Sequence, residues 1–198
     1  MYKLSVISGF LGRIRNRFME YQGDQPIEEK IARGARIKGL DGLELCYPAD
    51  FDDFKRTKQM MKDTGLGISS INFRSRRSGK WWRGSFTSEM ASERSEVVED
   101  FKRAIDMAVE LGCTKVTTCP LNEGSDYLFE MDYQAAYGYF EETIREVAKY
   151  RPDMNICLEY KPSDPRGRVI MATAGETLAF CEQVGLPNVG ITLDIGHS

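Results

Sequence analysis

Short apolar runs rich in β-forming residues alternate along this chain with longer segments of helical period. The alternation indicates parallel strands joined by right-handed helical crossovers, because parallel neighbours cannot be connected by a tight turn. Two architectures satisfy it, a (β/α) barrel and a doubly wound sheet. The runs are KLSVISGF (3–10), GLELCYP (42–48), GISSINF (67–73), KVTTCPL (115–121), NICLEYKP (155–162) and GITLDIG (190–196).

Five helical segments separate these strands, and polar residues mark where two of them begin. Asp50 is the expected N-cap of the second helix. The sequence TAGE, from Thr173 to Glu176, is a capping box that opens the fifth helix. The segments are predicted at 26–39, 50–65, 92–112, 133–151 and 173–185.

The spacing of the strands favours the barrel. Successive strands begin about 37 residues apart, so eight units would need about 300 residues, within the range of (β/α)₈ barrels. The loop after the first strand has no G-x-G-x-x-G or Walker sequence, which weakens the case for a nucleotide-binding sheet. We therefore predict one (β/α)₈ TIM barrel domain over residues 1–198, with only about six β/α units present; the alternative is a complete six-stranded doubly wound sheet.

The composition is that of an ordinary soluble domain, 41% hydrophobic and 29% charged. A net charge of −3 disfavours nucleic acid as the main partner. Five cysteines without a C-x-x-C pair disfavour both a disulfide framework and a structural zinc site. The sequence has neither an apolar run of membrane-spanning length nor a signal peptide, so we expect a cytoplasmic protein with no membrane partner.

Charged residues stand at the ends of the fifth and sixth strands, where a buried strand would carry apolar ones. Glu159 and Lys161 are two residues apart and therefore leave the same face of an extended strand. Asp194 ends the sixth run, and His197 follows three residues later. The carboxyl ends of barrel strands share one rim, so these four side chains are expected to converge.

Two carboxylates and one imidazole at a barrel rim suit a divalent cation of the Mn²⁺, Mg²⁺ or Co²⁺ type. Such an ion accepts oxygen and nitrogen ligands, keeps positions open for substrate, and holds both carboxylates ionised. The alternative is structural: Glu159 and Lys161 would form an ion pair, and Asp194 and His197 would merely begin a loop.

The sequences EYKPSDP (159–165) and LDIGH (193–197) resemble those of the xylose-isomerase-like TIM barrels, which include xylose and L-rhamnose isomerases and tagatose 3-epimerases. The resemblance implies a metal-dependent sugar isomerase or epimerase that works by hydride shift or through an enediolate. By this resemblance Glu159 binds the metal, with Mn²⁺ the first expectation, and exchanges a proton with the substrate carbon.

The same resemblance assigns roles to the other strand-end residues. Asp194 would be a second metal ligand. His197 would hold a substrate hydroxyl or ligate a second metal. Lys161 matches the E-x-K-P form of the aldose–ketose isomerases, in which the lysine polarises the sugar carbonyl. The family's remaining ligands, on strands seven and eight, have no counterpart before Ser198, so this chain is expected to lack part of the site.

Other members of the superfamily supply alternatives. Endonuclease IV needs several histidines for its zinc cluster, and His197 is the only histidine here, so a nucleic-acid substrate is not expected. A C-glycoside-cleaving lyase subunit would use the same metal for proton abstraction beside a carbonyl. A non-catalytic sugar-binding barrel would keep the pocket without the chemistry.

A basic aromatic loop, FRSRRSGKWWRGSF (73–86), follows the third strand. We predict a lid in which Trp81 and Trp82 stack on a sugar while Arg74 and Arg83 clamp an anionic group of the substrate. The alternatives are a contact in a homo-oligomer, a solvated loop and a nucleic-acid groove.

Other charged residues are expected at the same rim. Glu44, at the end of the second strand, would face the mouth and bind substrate or serve as a buried partner for an arginine. Arg13, Arg15 and Arg17 follow the first strand.

Overall fold

A computed structural model describes residues 2–16, 18–164 and 167–198 of the chain. Arg17, which was expected at the rim, and Pro165, the last residue of the EYKPSDP motif, lie outside the described residues. The chain divides into two compact units, residues 1–72 with 107–113 and residues 73–106 with 114–198. The prediction of a single domain over 1–198 stays a prediction.

The central sheet has its strands in sequence order, β1-β2-β3-β4-β5-β6. The classic doubly wound order reverses direction at a switch point, whereas a barrel adds each strand beside the previous one. This order therefore confirms the barrel topology and excludes the doubly wound alternative. The strands are Ser5–Ile7 (β1), Gly42–Tyr47 (β2), Gly67–Phe73 (β3), Lys115–Thr118 (β4), Asn155–Glu159 (β5) and Val189–Thr192 (β6).

The α-helices of the described residues fall where the periodic segments predicted them, with one short α-helix added after β1. The first apolar run is a strand only as far as Ile7, because Ser8 begins a short helix. None of the helices in the described residues is long and apolar enough to cross a membrane. The helices are Ser8–Gly12 (α1), Ile27–Arg36 (α2), Phe54–Thr64 (α3), Ala91–Glu110 (α4), Tyr133–Tyr150 (α5) and Ala174–Val184 (α6).

Short antiparallel strands pair with one another in the loops outside the central sheet. Ile14–Arg15 pairs with Glu20–Gln22 in the first unit. In the second unit, Gly167–Val169 is the middle strand of a small sheet between Gly124–Ser125 and Ser163–Asp164. This small sheet follows β4 and β5 and fixes the segment that carries Asp164.

In the first unit, α1 packs against α2 and β2, and α2 packs against α3. β1 and β2 are parallel, with Ser5 opposite Gly42. A side chain at Gly42 would come within 2.5 Å of the Gly67 carbonyl oxygen, so only glycine lets these backbones approach this closely. The fully buried apolar side chains of this unit include Ile31, Leu43, Leu45 and Ile71.

The predicted cap of α3 is wrong. Asp53, not Asp50, caps the helix, and its carboxylate accepts the Arg56 backbone N–H at 3.1 Å. Asp50 is buried instead: its carboxylate accepts the Cys46 N–H at 2.7 Å and the Lys30 ammonium at 3.1 Å. A buried lysine requires a buried anion, and this need outweighs the local capping preference.

The second unit holds β4, β5 and β6 in parallel register, with Thr118 opposite Leu158 and Thr192 opposite Glu159. Three buried aromatic rings pack against one another in the core of this unit. The Phe140 ring centroid lies 5.6 Å from that of Phe86 and 4.8 Å from that of Phe180.

Two local features of the second unit bear on the predictions. The capping box at Thr173 and Glu176 is confirmed. The fifth and sixth strands are shorter than their apolar runs, because Lys161 donates its backbone N–H to the Met171 carbonyl and Gly196 donates its own to the Asp194 side chain.

Candidate metal centre

Three of the predicted ligands come together at the ends of β5 and β6. Glu159 is the last residue of β5, and Asp194 and His197 follow β6. The His197 Nδ1 atom lies 3.4 Å from a Glu159 carboxylate oxygen and 3.3 Å from an Asp194 carboxylate oxygen. One ligand atom from each residue lies within 4.8 Å of the others. The convergence predicted from the strand ends is therefore present, while metal binding by these residues stays a prediction.

Register explains why residues distant in sequence meet here. Thr192, the last residue of β6, is opposite Glu159, the last residue of β5. The residues that follow Thr192 therefore lie beside the end of β5. The Asp194 carboxylate then accepts the Gly196 N–H at 2.7 Å, and the His197 N–H donates to the Asp194 carbonyl at 3.2 Å. These two bonds turn the chain and bring the imidazole back over the end of β5.

Tyr160 faces the opposite side of the sheet from Glu159 and is fully buried. Its hydroxyl lies 2.6 Å from both the Asp194 carbonyl oxygen and the Ser198 hydroxyl. Its carbonyl oxygen lies 2.9 Å from His197 Nδ1. The role of Tyr160 depends on contacts that form only in the folded chain.

Lys161 is close to this cluster, and its ammonium lies 3.5 Å from an Asp164 carboxylate oxygen. The other oxygen of Asp164 accepts a hydrogen bond from the Arg76 guanidinium. One carboxylate therefore joins the lysine after β5 to the basic loop after β3. Asp164 was not among the predicted site residues.

Cys119 adjoins Glu159, as the register of β4 and β5 requires, because Thr118 is opposite Leu158. Burial raises the pKa of the Cys119 thiol, and the charge of the Glu159 carboxylate raises it further, with Lys161 opposing. The thiol therefore stays protonated and is hydrogen-bonded to Glu159. The alternating faces of β4 could have identified this residue.

The two tryptophans of the basic loop occupy different environments. Trp81 is only 2% exposed, and its indole N–H donates to Glu96 at 3.3 Å. Trp82 is 81% exposed, with the Arg83 guanidinium 4.3 Å from its ring. Trp81 thus has no exposed face on which a sugar could stack, whereas Trp82 and the exposed Arg74 remain candidates. Adjacent positions in a loop carry no periodicity from which this difference could be predicted.

Glu123 fixes the end of the basic loop through hydrogen bonds. This carboxylate is completely buried. It accepts the backbone N–H groups of Ser85, Phe86 and Thr87 at 3.0 to 3.2 Å and the hydroxyls of Ser85 and Thr87. The adjacent Gly84 has a φ of +99°, and a side chain there would lie 2.4 Å from the Thr87 hydroxyl.

Asn122 fixes the same loop at two further points. Its side-chain oxygen accepts the Ser75 hydroxyl at 2.6 Å, and its amide donates to the Trp81 carbonyl at 3.2 Å. Together Asn122 and Glu123 tie the beginning, the middle and the end of the loop. The sequence did not identify either residue, because both lie in an irregular segment after β4.

Glu44 belongs to the first unit. It is half-buried on β2, and its carboxylate accepts the Asn72 side-chain amide at 3.0 Å. Asn72 is thus one partner of Glu44, and both substrate binding by Glu44 and its pairing with an arginine stay predictions.

Comparison with known proteins agrees with this topology. A family model described as xylose isomerase-like TIM barrel matches residues 31–198. The chain belongs to this family, which confirms the resemblance seen in EYKPSDP and LDIGH.

Solved structures show the same fold at low identity. An AP endonuclease of family 2 from Brucella melitensis has a TM-score of 0.75 and 22% identity, covering 100% of this chain and 70% of that one. A D-allulose 3-epimerase from Methylomonas sp. has a TM-score of 0.75 and 20% identity, covering 98% and 63%. For an L-ribulose 3-epimerase the values are 0.73 and 23%, with 100% and 62% covered. This chain thus spans less than two thirds of the length of both epimerases.

Proposed function

We propose that this protein acts as a divalent-metal-dependent sugar isomerase or epimerase. The observation that carries the proposal is the convergence of Glu159, Asp194 and His197 at two adjacent strand ends of a xylose isomerase-like barrel. The epimerase names of two structural neighbours support the substrate class. Barrel enzymes place their chemistry at this end of the strands.

The donor set fits a hard divalent cation. Two carboxylates that share a partly buried space repel each other when both are ionised, and a cation between them removes that repulsion. Oxygen ligands with one imidazole favour Mn²⁺, with Mg²⁺ and Co²⁺ as alternatives, over a sulfur-preferring metal. The bound metal would act as a Lewis acid on the oxygens of the sugar.

The protein's own residues would perform the remaining steps. Glu159 would exchange a proton with the carbon next to the sugar carbonyl. Lys161, held by Asp164, would polarise that carbonyl, which is the feature that favours aldose–ketose isomerisation over epimerisation. His197 would ligate the metal or bind a substrate hydroxyl. The basic loop would form a wall of the site, with Trp82, Arg74 and Arg83 contacting the sugar or an anionic group on it.

The test is turnover by the full-length protein with Mn²⁺ in D₂O, using aldoses, ketoses and their phosphates and acids. We expect a product of the same carbon skeleton. Deuterium at the reacting carbon would indicate proton transfer by Glu159, and its absence would indicate a hydride shift. Glu159→Gln should abolish turnover, and Glu142→Gln, an exposed carboxylate on α5, should not.

Three outcomes would overturn the proposal. Cleavage of a C-glycoside would indicate a lyase. Saturable sugar binding without turnover would indicate a binding module. Unchanged turnover in Glu159→Gln would show that other residues carry out the reaction.

A further inference from the structure

We propose that Tyr160 is a positioning residue that fixes His197 in the tautomer with the proton on Nδ1. The Nε2 atom is then the nitrogen that remains for metal or substrate. The tautomer follows from the contacts of His197 alone, whereas the use of Nε2 rests on the proposed function.

Among the described residues, three oxygens that can accept a hydrogen bond lie within 3.4 Å of His197 Nδ1. The Tyr160 carbonyl oxygen is the nearest, at 2.9 Å, and carboxylate oxygens of Asp194 and Glu159 lie at 3.3 and 3.4 Å. A neutral imidazole carries one N–H and one lone pair. A lone pair on Nδ1 would face the carbonyl oxygen and both anions without a proton between them. A proton on Nδ1 turns these repulsive contacts into attractive ones, so this nitrogen is the donor.

Tyr160 also fixes the segment that carries the ring. Its hydroxyl lies 2.6 Å from the Asp194 carbonyl and 2.6 Å from the Ser198 hydroxyl, so it holds the chain on both sides of His197. The Ser198 hydroxyl in turn lies 3.1 Å from the Asp194 carbonyl. The hydroxyl and the carbonyl of one buried residue therefore act on the same turn. Because Tyr160 is fully buried, these hydrogen bonds anchor the turn to the core of the second unit.

The competing arrangement uses Nδ1 as a metal ligand. The distances of 3.3 and 3.4 Å from Nδ1 to the two carboxylates would also permit it. That arrangement requires a deprotonated Nδ1 only 2.9 Å from the Tyr160 carbonyl, where two lone pairs would oppose each other. The hydrogen bond to Tyr160 therefore separates the roles: Glu159 and Asp194 supply oxygens, and His197 offers Nε2. A hydrogen bond to one imidazole nitrogen commonly determines which nitrogen is free.

His197 is the only histidine among residues 1–198. In the full-length protein labelled with ¹⁵N-histidine, the His197 signals are identified by their loss in His197→Gln, and long-range ¹H–¹⁵N correlation in mildly alkaline, metal-free buffer identifies the protonated nitrogen. We expect the Nδ1–H form in the wild type. In Tyr160→Phe, which keeps the ring and carbonyl but removes the hydroxyl, the ratio of Nδ1–H to Nε2–H should fall roughly tenfold, the upper size of one net hydrogen bond.

Tyr137→Phe is the matched control. Tyr137 is partly buried, and its hydroxyl donates to the Ile170 carbonyl at 2.7 Å rather than to the segment 194–198. We expect this variant to keep the wild-type ratio. The wild-type spectrum and Ser198→Ala, which removes one partner of the Tyr160 hydroxyl, test the inference even if Tyr160→Phe does not fold.

An Nε2–H imidazole in the wild type, or an unchanged ratio in folded Tyr160→Phe, would overturn the inference. Addition of Mg²⁺ separates it from the proposed function. If the His197 signals do not respond to Mg²⁺ and calorimetry detects no Mn²⁺ binding, the metal site fails while the tautomer assignment stands. A response of Nδ1 with loss of its proton would show that the metal displaces the Tyr160 contact, which contradicts the inference.

Discussion

Two glutamates that follow neighbouring strands, Glu123 after β4 and Glu159 at the end of β5, have opposite surroundings. Glu123 is fully buried and receives hydrogen bonds from three backbone N–H groups and two hydroxyls. The Glu159 side chain is 15% exposed, accepts a hydrogen bond from the Cys119 thiol, and lies beside the Asp194 carboxylate and the His197 imidazole. A carboxylate surrounded by donors is satisfied by the protein itself. A carboxylate beside another carboxylate is suited to bind a cation or a proton.

We therefore expect Glu123 to contribute mainly to the stability of the fold and Glu159 mainly to the function of the site. Removal of the Glu123 carboxylate leaves buried donors without partners, whereas removal of the Glu159 charge relieves repulsion with Asp194. The first change should therefore damage the fold, and the second should damage the site.

Glu123→Ala should have the largest effect. Three buried N–H groups and two hydroxyls would lose their acceptor, and unsatisfied buried groups cost about 1–3 kcal/mol each before the loop relaxes. We expect a loss of about 4 kcal/mol in the free energy of unfolding, measured by urea denaturation. The exposed Glu142→Ala should change it by less than about 0.5 kcal/mol. A loss of less than about 1 kcal/mol in Glu123→Ala would contradict the distinction between a structural Glu123 and a functional Glu159.

Asn122→Ala should have an intermediate effect. It removes the hydrogen bonds to the Ser75 hydroxyl and the Trp81 carbonyl, which together are worth about 1–2 kcal/mol. Because Trp81 is buried, loosening of the loop should also shift tryptophan emission to longer wavelength. Unchanged emission together with unchanged stability would show that Glu123 alone holds the loop.

Glu159→Gln should change the free energy of unfolding by less than about 1 kcal/mol, because it removes a charge that lies near Asp194 while it keeps the shape of the side chain. Urea denaturation at neutral pH in metal-free buffer measures this effect. A loss as large as that expected for Glu123→Ala would mean that Glu159 is a structural carboxylate.

Trp82→Ala should have the smallest effect on stability, within about 0.5 kcal/mol, because the side chain is 81% exposed. If Trp82 contacts the sugar, KM should rise while kcat changes little. Trp81→Ala is the matched change in the buried neighbour, and it should cost about 3–5 kcal/mol. Equal stability losses in the two variants would contradict the assignment of one tryptophan to the core and the other to the surface.

The sequence predicted the parts of the molecule that obey a period or a shared motif. Alternating strands and helices predicted parallel β/α units, and the spacing of the strands favoured the barrel over the doubly wound sheet. The two-residue period placed Glu159 on the face that meets the chain after β6. Asn122 and Glu123 escaped prediction because they lie in an irregular segment and act on a loop distant in sequence. Asp50 was assigned as a cap because burial of Lys30 cannot be seen from local sequence. The partners of the Tyr160 hydroxyl, Asp194 and Ser198, are distant in sequence and come next to it only in the folded chain.

The most direct test of the metal centre is a calorimetric titration with Mn²⁺. The wild-type protein should bind the ion, and both Glu159→Gln and Asp194→Asn should weaken binding by at least about 100-fold, because each removes a charged ligand. Glu142→Gln should bind as the wild type does. Equal affinity in all four proteins, or no binding by the wild type, would contradict the account.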